Sequence, residues 1–155
     1  MIKNIKKVSK TIGLAPGTLV HIGDKLADRV KMTVIDYNQD NISEKSIINP
    51  EECFPLKDTH TVSWINIDGI HDVEIIQKIG GHFGLHPLTL ADIVNTSQRP
   101  KLEDFDDYLY IVLKMVYYDK VNGGIEAEQV SLALGENYII IYTYYIYSGN
   151  IRYEF

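Results

Sequence analysis

The sequence predicts an α+β domain built on a mixed parallel and antiparallel sheet. Three observations carry this. Strand-like segments come first, two helical segments follow near the middle, and strands return in the last third. That order differs from the strict strand–helix alternation of a doubly wound parallel fold. The last third also holds the Asn-Gly hairpin signal in "KVNGG", which joins neighbouring antiparallel strands.

Taken in order, "APGTLVHIG" reads as a turn entering a short strand at 18–22. In "RVKMTVIDYN", 29–38, Val30, Met32 and Val34 alternate with Lys31, Thr33 and Tyr37, the period of a strand with one better-buried face. Residues 40–57 carry a weaker pattern, that of a short helix broken by Pro50 and Pro55. "TVSWINIDGI" is rich in β-branched residues and closes on Asp68-Gly69, so it reads as a strand with Trp64 buried at its middle. "HDVEIIQKIGGHFG" spaces Ile75, Ile76, Ile79 and Phe83 as one helical face, with Gly84 as the stop. Pro87 suits the first turn of a second helix, where its missing N–H costs nothing. "DYLYIVLKMVYYD" is almost continuously apolar, as for a central strand buried on both faces. "AEQVSLALG" and "NYIIIYTYY" complete a meander.

The 155 residues suit one compact domain, and 45% hydrophobic residues can fill its core. A net charge of −6 argues against a broad basic surface for nucleic acid. Cys53 is the only cysteine, which excludes an intrachain disulfide and a thiolate metal cluster. The longest apolar run, residues 138–147, is ten residues long, and a membrane helix needs roughly 20. The chain is therefore expected to be soluble.

No constellation of catalytic type emerges. "IGGHFG" ends a helix rather than opening one after a strand, and GxxxxGK[ST] is absent, so no nucleotide site is expected. His82 and His86 have the i, i+4 spacing of a zinc pair, but Gly84 and Pro87 interrupt the helix such a pair needs. "LEDFDDY", 102–108, lacks the central Gly and closing Glu of a calcium loop and reads as a solvated loop entering a strand. Ser131 lacks a nucleophile elbow. In "HPLTLADIVNTSQRPK", Leu90, Ile93 and Val94 share a helical face with Pro87, and Asp92 falls on the opposite side between Thr89 and Asn95. Alone, that is an outward-facing, solvated acid.

The stretch "HPLTLADIVNTSQRPKLEDFDDYLYIVLKM" resembles the cytoplasmic domain of the CorA family of magnesium transporters. "GLAPGTLVHIG", "SWINIDGIHD", "IGGHFGLHPL" and "EQVSLALGENYIIIY" resemble family segments in the family order, so the likeness covers about residues 10–142. It implies a mixed sheet sandwiched between helical layers. In the whole transporter, stalk helices and two membrane helices with a Gly-Met-Asn signature follow. Five subunits form the channel, and cytoplasmic Mg²⁺ between neighbouring domains holds it closed. The resemblance makes Asp92 one ligand of that metal, its partner acid lying on a neighbour's stalk. Ala91 stands where close relatives often carry Glu, which weakens any second site there.

The resulting expectation is a single divalent-cation-sensing regulatory domain, 1–155, of a magnesium/cobalt transporter. The resemblance implies that it is not an enzyme, that its regulatory ion is Mg²⁺, with Co²⁺ as the alternative ion, and that it lies at the cytoplasmic face of the inner membrane. It is expected to stop before the stalk, to be unable to transport alone, and to meet the membrane only through helices it lacks. The full-length protein is expected to be a homopentamer. The chain itself is expected to be a monomer, because the family's pentamer rests on stalk and membrane helices and a net charge of −6 repels, or a small edge-paired oligomer if the tyrosine-rich strand 138–147 lies at a sheet edge. The tail "YTYYIYSGNIRYEF" is tyrosine-rich where the family pattern has a charged, helix-leading stretch, so either a strand continues further than usual or the sequence leaves the family near Thr143. Two alternatives stand beside this: a domain of a zinc-transporting relative, and a free-standing metal-binding or scaffold domain.

Overall fold

The computed structural model describes residues 18–19, 30–119 and 123–144. The expected strand at 18–22 lies outside those residues apart from Thr18 and Leu19, which are not in a strand. The strands are β1 (Lys31–Tyr37), β2 (Ile42–Ile47), β3 (Val62–Asp68), β4 (Lys101–Asp104), β5 (Leu109–Asp119), β6 (Gly124–Leu134) and β7 (Tyr138–Thr143). Two helices, α1 (Val73–Phe83) and α2 (Pro87–Val94), lie between β3 and β4, and a 3-10 segment spans Pro50–Asp58. The strands form one sheet in the order β2-β1-β3-β7-β6-β5-β4. β3 and β7 pair in parallel, and the other neighbours are antiparallel. The mixed α+β sheet is thus the one the element order predicts.

Alternation decides which face each strand buries. Met32 and Val34 of β1, Ile65 and Ile67 of β3, and Ile140 and Tyr142 of β7 are buried in register with one another. They are joined on the same face by Ser131 and Ala133 of β6 and by Tyr110 and Val112 of β5. Both helices pack on this face: Phe83 of α1 meets Tyr138 edge to face, and Gln129 of β6 reaches the end of α2 from the same side as Ser131 and Ala133. α1 begins where the Asp72 side chain accepts from the Glu74 and Ile75 N–H groups, and buries Ile76, Ile79, Gly80 and Phe83. It stops at Gly84, whose φ of 78° is left-handed. Gly80 is the point of closest approach to α2. A Cβ there would overlap the Leu90 side chain.

Several expectations need correction. β7, not β5, is the central strand. The "YIIIYT" run is buried on both faces, with Ile141 and Thr143 covered on the side opposite Ile140 and Tyr142. It therefore does not lie at a sheet edge, and edge pairing through it is withdrawn. β5 lies next to the edge, and Leu113, Val116 and Tyr118 are exposed where its ladder with β6 runs past the ends of β4 and β7. The apolar run reflects a strand end left open on both sides among the described residues rather than two-sided burial, with Val116 and Tyr118 on the side of Tyr110 and Val112 and Leu113 on the opposite, second face. Trp64 points to that second face and is only half-buried. The segment 40–57 is not a broken helix but strand β2 followed by the 3-10 turn. β2 escaped notice because it is an exposed edge strand whose first five residues carry no apolar period. Of the two helical layers the resemblance implies, the described residues supply one.

Candidate functional site

α2 owes its start to His86. The ring Nδ1 accepts the Leu88 N–H at 3.2 Å, and Pro87 occupies the first helical position. Its end is set by Asn95, whose side-chain oxygen takes the Ser97 N–H at 3.2 Å and the Ser97 hydroxyl at 2.7 Å. The chain then turns through Pro100 into β4, which brings "SQRPK" back alongside the helix.

The polar side of α2 does not face solvent. Thr89, expected among the outward residues, is buried, its hydroxyl 2.9 Å from the Tyr108 hydroxyl, which also accepts the His86 N–H at 3.0 Å. One turn later the buried Gln129 of β6 meets the helix end. Its amide nitrogen donates to the carbonyls of Asp92 (3.2 Å) and Asn95 (3.1 Å), and its oxygen accepts the Gln98 N–H at 3.0 Å. Lys114 of β5 donates to the Thr96 carbonyl at 3.2 Å, and burial lowers its pKa. The helical wheel placed Asp92 correctly opposite the apolar stripe. It could not show that strands β4 to β6 receive this side with polar groups of their own.

Asp92 is accordingly a held acid rather than a free one. Its Oδ2 lies 2.6 Å from the Lys101 ammonium and its Oδ1 accepts the Gln98 side-chain amide at 2.8 Å. Both the Lys101 and the Asp92 side chains are 26% exposed. Lys101 and Glu103 alternate on β4 so that both face α2, and the same ammonium lies 3.0 Å from Glu103 Oε2. It also stands 5.3 Å from the centre of the Tyr110 ring. Burial alone would lower the Lys101 pKa, but the hydrogen bonds to Asp92 and Glu103 outweigh it and the net shift is upward.

This donor set suits a hard divalent cation in part. Such an ion takes one or two carboxylates and keeps several waters. Asp92 presents one carboxylate to a cationic centre, with Glu103 reaching the same point. Among the described residues no group of three or more His, Cys, Asp or Glu is placed to hold a metal by itself. His82 is not a ligand partner of His86. Its ring stacks on Phe54 with centroids 4.0 Å apart and its Nε2 lies 3.0 Å from the Phe54 carbonyl, while His86 is the helix cap. Glu103 and Asp104 belong to a strand, not to a loop, and the turn after them places Asp106 at φ 61°. Ser131 is buried between Tyr110 and Gln129. Sequence reasoning missed Lys101 and Gln129. The "QRPK" spacing held the signal for the first, since a sharp turn after a helix returns the chain to it.

Fold and site define a mixed-sheet α+β domain with a charged anchor where a short helix meets the sheet edge. The same fold occurs in the full-length CmaX protein, with a TM-score of 0.56 over 78% of this chain and 36% of that one, at 13% identity. The soluble domain of CorA from Methanocaldococcus jannaschii gives a TM-score of 0.48, at 14% identity, over 70% of this chain and 39% of that one. The chain belongs to the family of CorA-like Mg²⁺ transporter proteins, whose pattern it matches over residues 60–145, more than half its length. The cobalt/magnesium transport protein CorA of Thermotoga maritima is 43% identical over 137 residues. That match takes in 88% of this chain and 39% of the relative, so the chain spans well under half of the relative's length. No helix among the described residues is long and apolar enough to cross a membrane.

Proposed function

We propose that residues 1–155 form the cytoplasmic regulatory domain of a magnesium/cobalt transporter, at the inner face of the cell membrane, and that Asp92 supplies one carboxylate to a regulatory divalent ion shared between subunits of a homopentamer. Family membership supports the transporter part. The observation that supports the metal part is the Asp92 carboxylate, partly exposed on the last turn of α2 and held against the Lys101 ammonium with Glu103 beside it. One carboxylate in one chain is a poor Mg²⁺ site, because the ion gives up its waters reluctantly. A ligand from a neighbouring subunit makes the site depend on assembly, and the differential affinity of the ion for the bridged arrangement is then the energy available for switching.

The test is uptake by the reading frame that carries this chain, in a bacterial strain that needs added Mg²⁺. The wild-type frame is expected to restore growth. Asp92→Asn is expected to leave uptake running when internal Mg²⁺ is already high. Failure to restore growth would remove the transporter reading, and normal shut-off in Asp92→Asn would remove the metal reading alone.

A further inference from the structure

We infer that Lys101 is an internal competitor for the Asp92 site, a tethered cation that a divalent ion must displace to bind. This rests on the reading of Asp92 as a metal ligand. The ammonium lies 2.6 Å from Asp92 Oδ2 and 3.0 Å from Glu103 Oε2. A divalent ion cannot coordinate that Asp92 oxygen while the ammonium stays against it, since two like charges at such range in a half-buried setting repel strongly. Lys101 is also hard to dislodge. Its backbone is fixed by the β4–β5 ladder opposite Val112, and a group held this close acts at a high effective concentration.

Glu103 gives the ammonium somewhere to go. With two carboxylates on one cation, an arriving divalent ion takes Asp92 while Lys101 keeps Glu103. The lysine therefore sets the concentration at which Asp92 becomes available, and Glu103 eases its release. A purely structural ion pair predicts no such relation to metal affinity.

The test is a Mn²⁺ titration of the 155-residue chain, read as paramagnetic broadening of the backbone amide signals of residues 91–103. Lys101→Met is expected to bind about tenfold more tightly than wild type, in line with the loss of one close like charge. Glu103→Gln is expected to bind a few-fold more weakly. In the Lys101→Met background, Glu103→Gln is expected to change nothing further, because there is no ammonium left to release. A simple field effect of the Glu103 charge would persist in that background and would overturn the inference. So would equal affinity of Lys101→Met and wild type at a site that Asp92→Asn abolishes, which leaves Asp92 a ligand but Lys101 no competitor. Paramagnetic broadening registers even weak binding by a single carboxylate, so its absence in every variant, Lys101→Met included, would overturn this inference, while the ligand role that needs a neighbouring subunit is decided separately by the Asp92→Asn uptake test. Lys101→Gln serves in place of Lys101→Met if the latter loses its dispersed spectrum.

Discussion

Replacing Gln129 by Leu should unfasten the end of α2 at nearly constant side-chain volume. Gln129 is 4% exposed and makes five hydrogen bonds: three from its amide nitrogen, to the carbonyls of Asp92 and Asn95 and to Ser131, and two into its oxygen, from the Gln98 N–H and Lys114. Those to Ser131 and Lys114 are long, at 3.4 Å each, and contribute least. The other three matter more. Leucine leaves the Asn95 carbonyl and the Gln98 N–H beneath the helix end without the partner Gln129 supplied, and the Asp92 carbonyl with only the Asn95 N–H at 3.3 Å, at about 1–3 kcal/mol for each orphaned group that water cannot reach. Partial access at Gln98 and Asn95 brings the expected total to about 3 kcal/mol. For a domain of this size that lowers the Tm by roughly 6–12 °C. Urea unfolding followed by Trp64 fluorescence gives the stability, and hydrogen exchange at the Gln98 amide gives the local effect. A loss below about 1 kcal/mol with Gln98 still protected would refute the clamp.

Two further outcomes follow from the core. Burial pushes the Cys53 thiol up to about 11, so it should resist alkylation in the native protein at pH 8 and react on unfolding. Because the folded-state value is raised, the associated stability is intact below the unfolded thiol pKa of about 8.5 and is lost as pH rises towards 11, which Cys53→Ala should blunt in an unfolding series over that range. The Tyr142 hydroxyl is buried with no hydrogen-bond partner among the described residues, and burial raises its pKa. Tyr142→Phe should therefore be neutral or stabilising by up to about 2 kcal/mol in the same unfolding assay, and a loss above about 1 kcal/mol would show that the hydroxyl has a partner.

What the sequence made legible is what a single period can carry. β1, β3 and α1 announce themselves because one repeat of apolar residues matches one buried face, and Gly69 and Gly84 punctuate β3 and α1. β2 and β4 were invisible as strands because edges need no apolar period. Strand order was also beyond reach. "YIIIYT" and "YIVLKM" look equally apolar, and only the parallel pairing of β3 with β7 puts the first at the centre and leaves the second near the edge. Asp92 was found, but its surroundings were not, since Lys101 and Gln129 reach it from strands 9 and 37 residues away.

Those distant partners bear on how the site works. A helix of eight residues has little stability of its own, and α2 must take its position from what it packs against. Its apolar stripe rests on Leu90, Ile93 and Val94, which fixes depth but tolerates some sliding along the sheet. The polar anchors remove that freedom. Tyr108 holds the first turn through His86 and Thr89, Gln129 holds the last through the Asp92 and Asn95 carbonyls, and Lys101 holds the Asp92 side chain. Gln129 and Lys101 thus grip the same residue, one by its backbone and one by its carboxylate. A change at the carboxylate, whether loss of the ammonium or arrival of another cation, acts on a residue whose main chain is fixed to β6. It is therefore spent on moving side chains rather than on shifting the helix, and the local exchange of Lys101 between two acids becomes the least costly response available to the site.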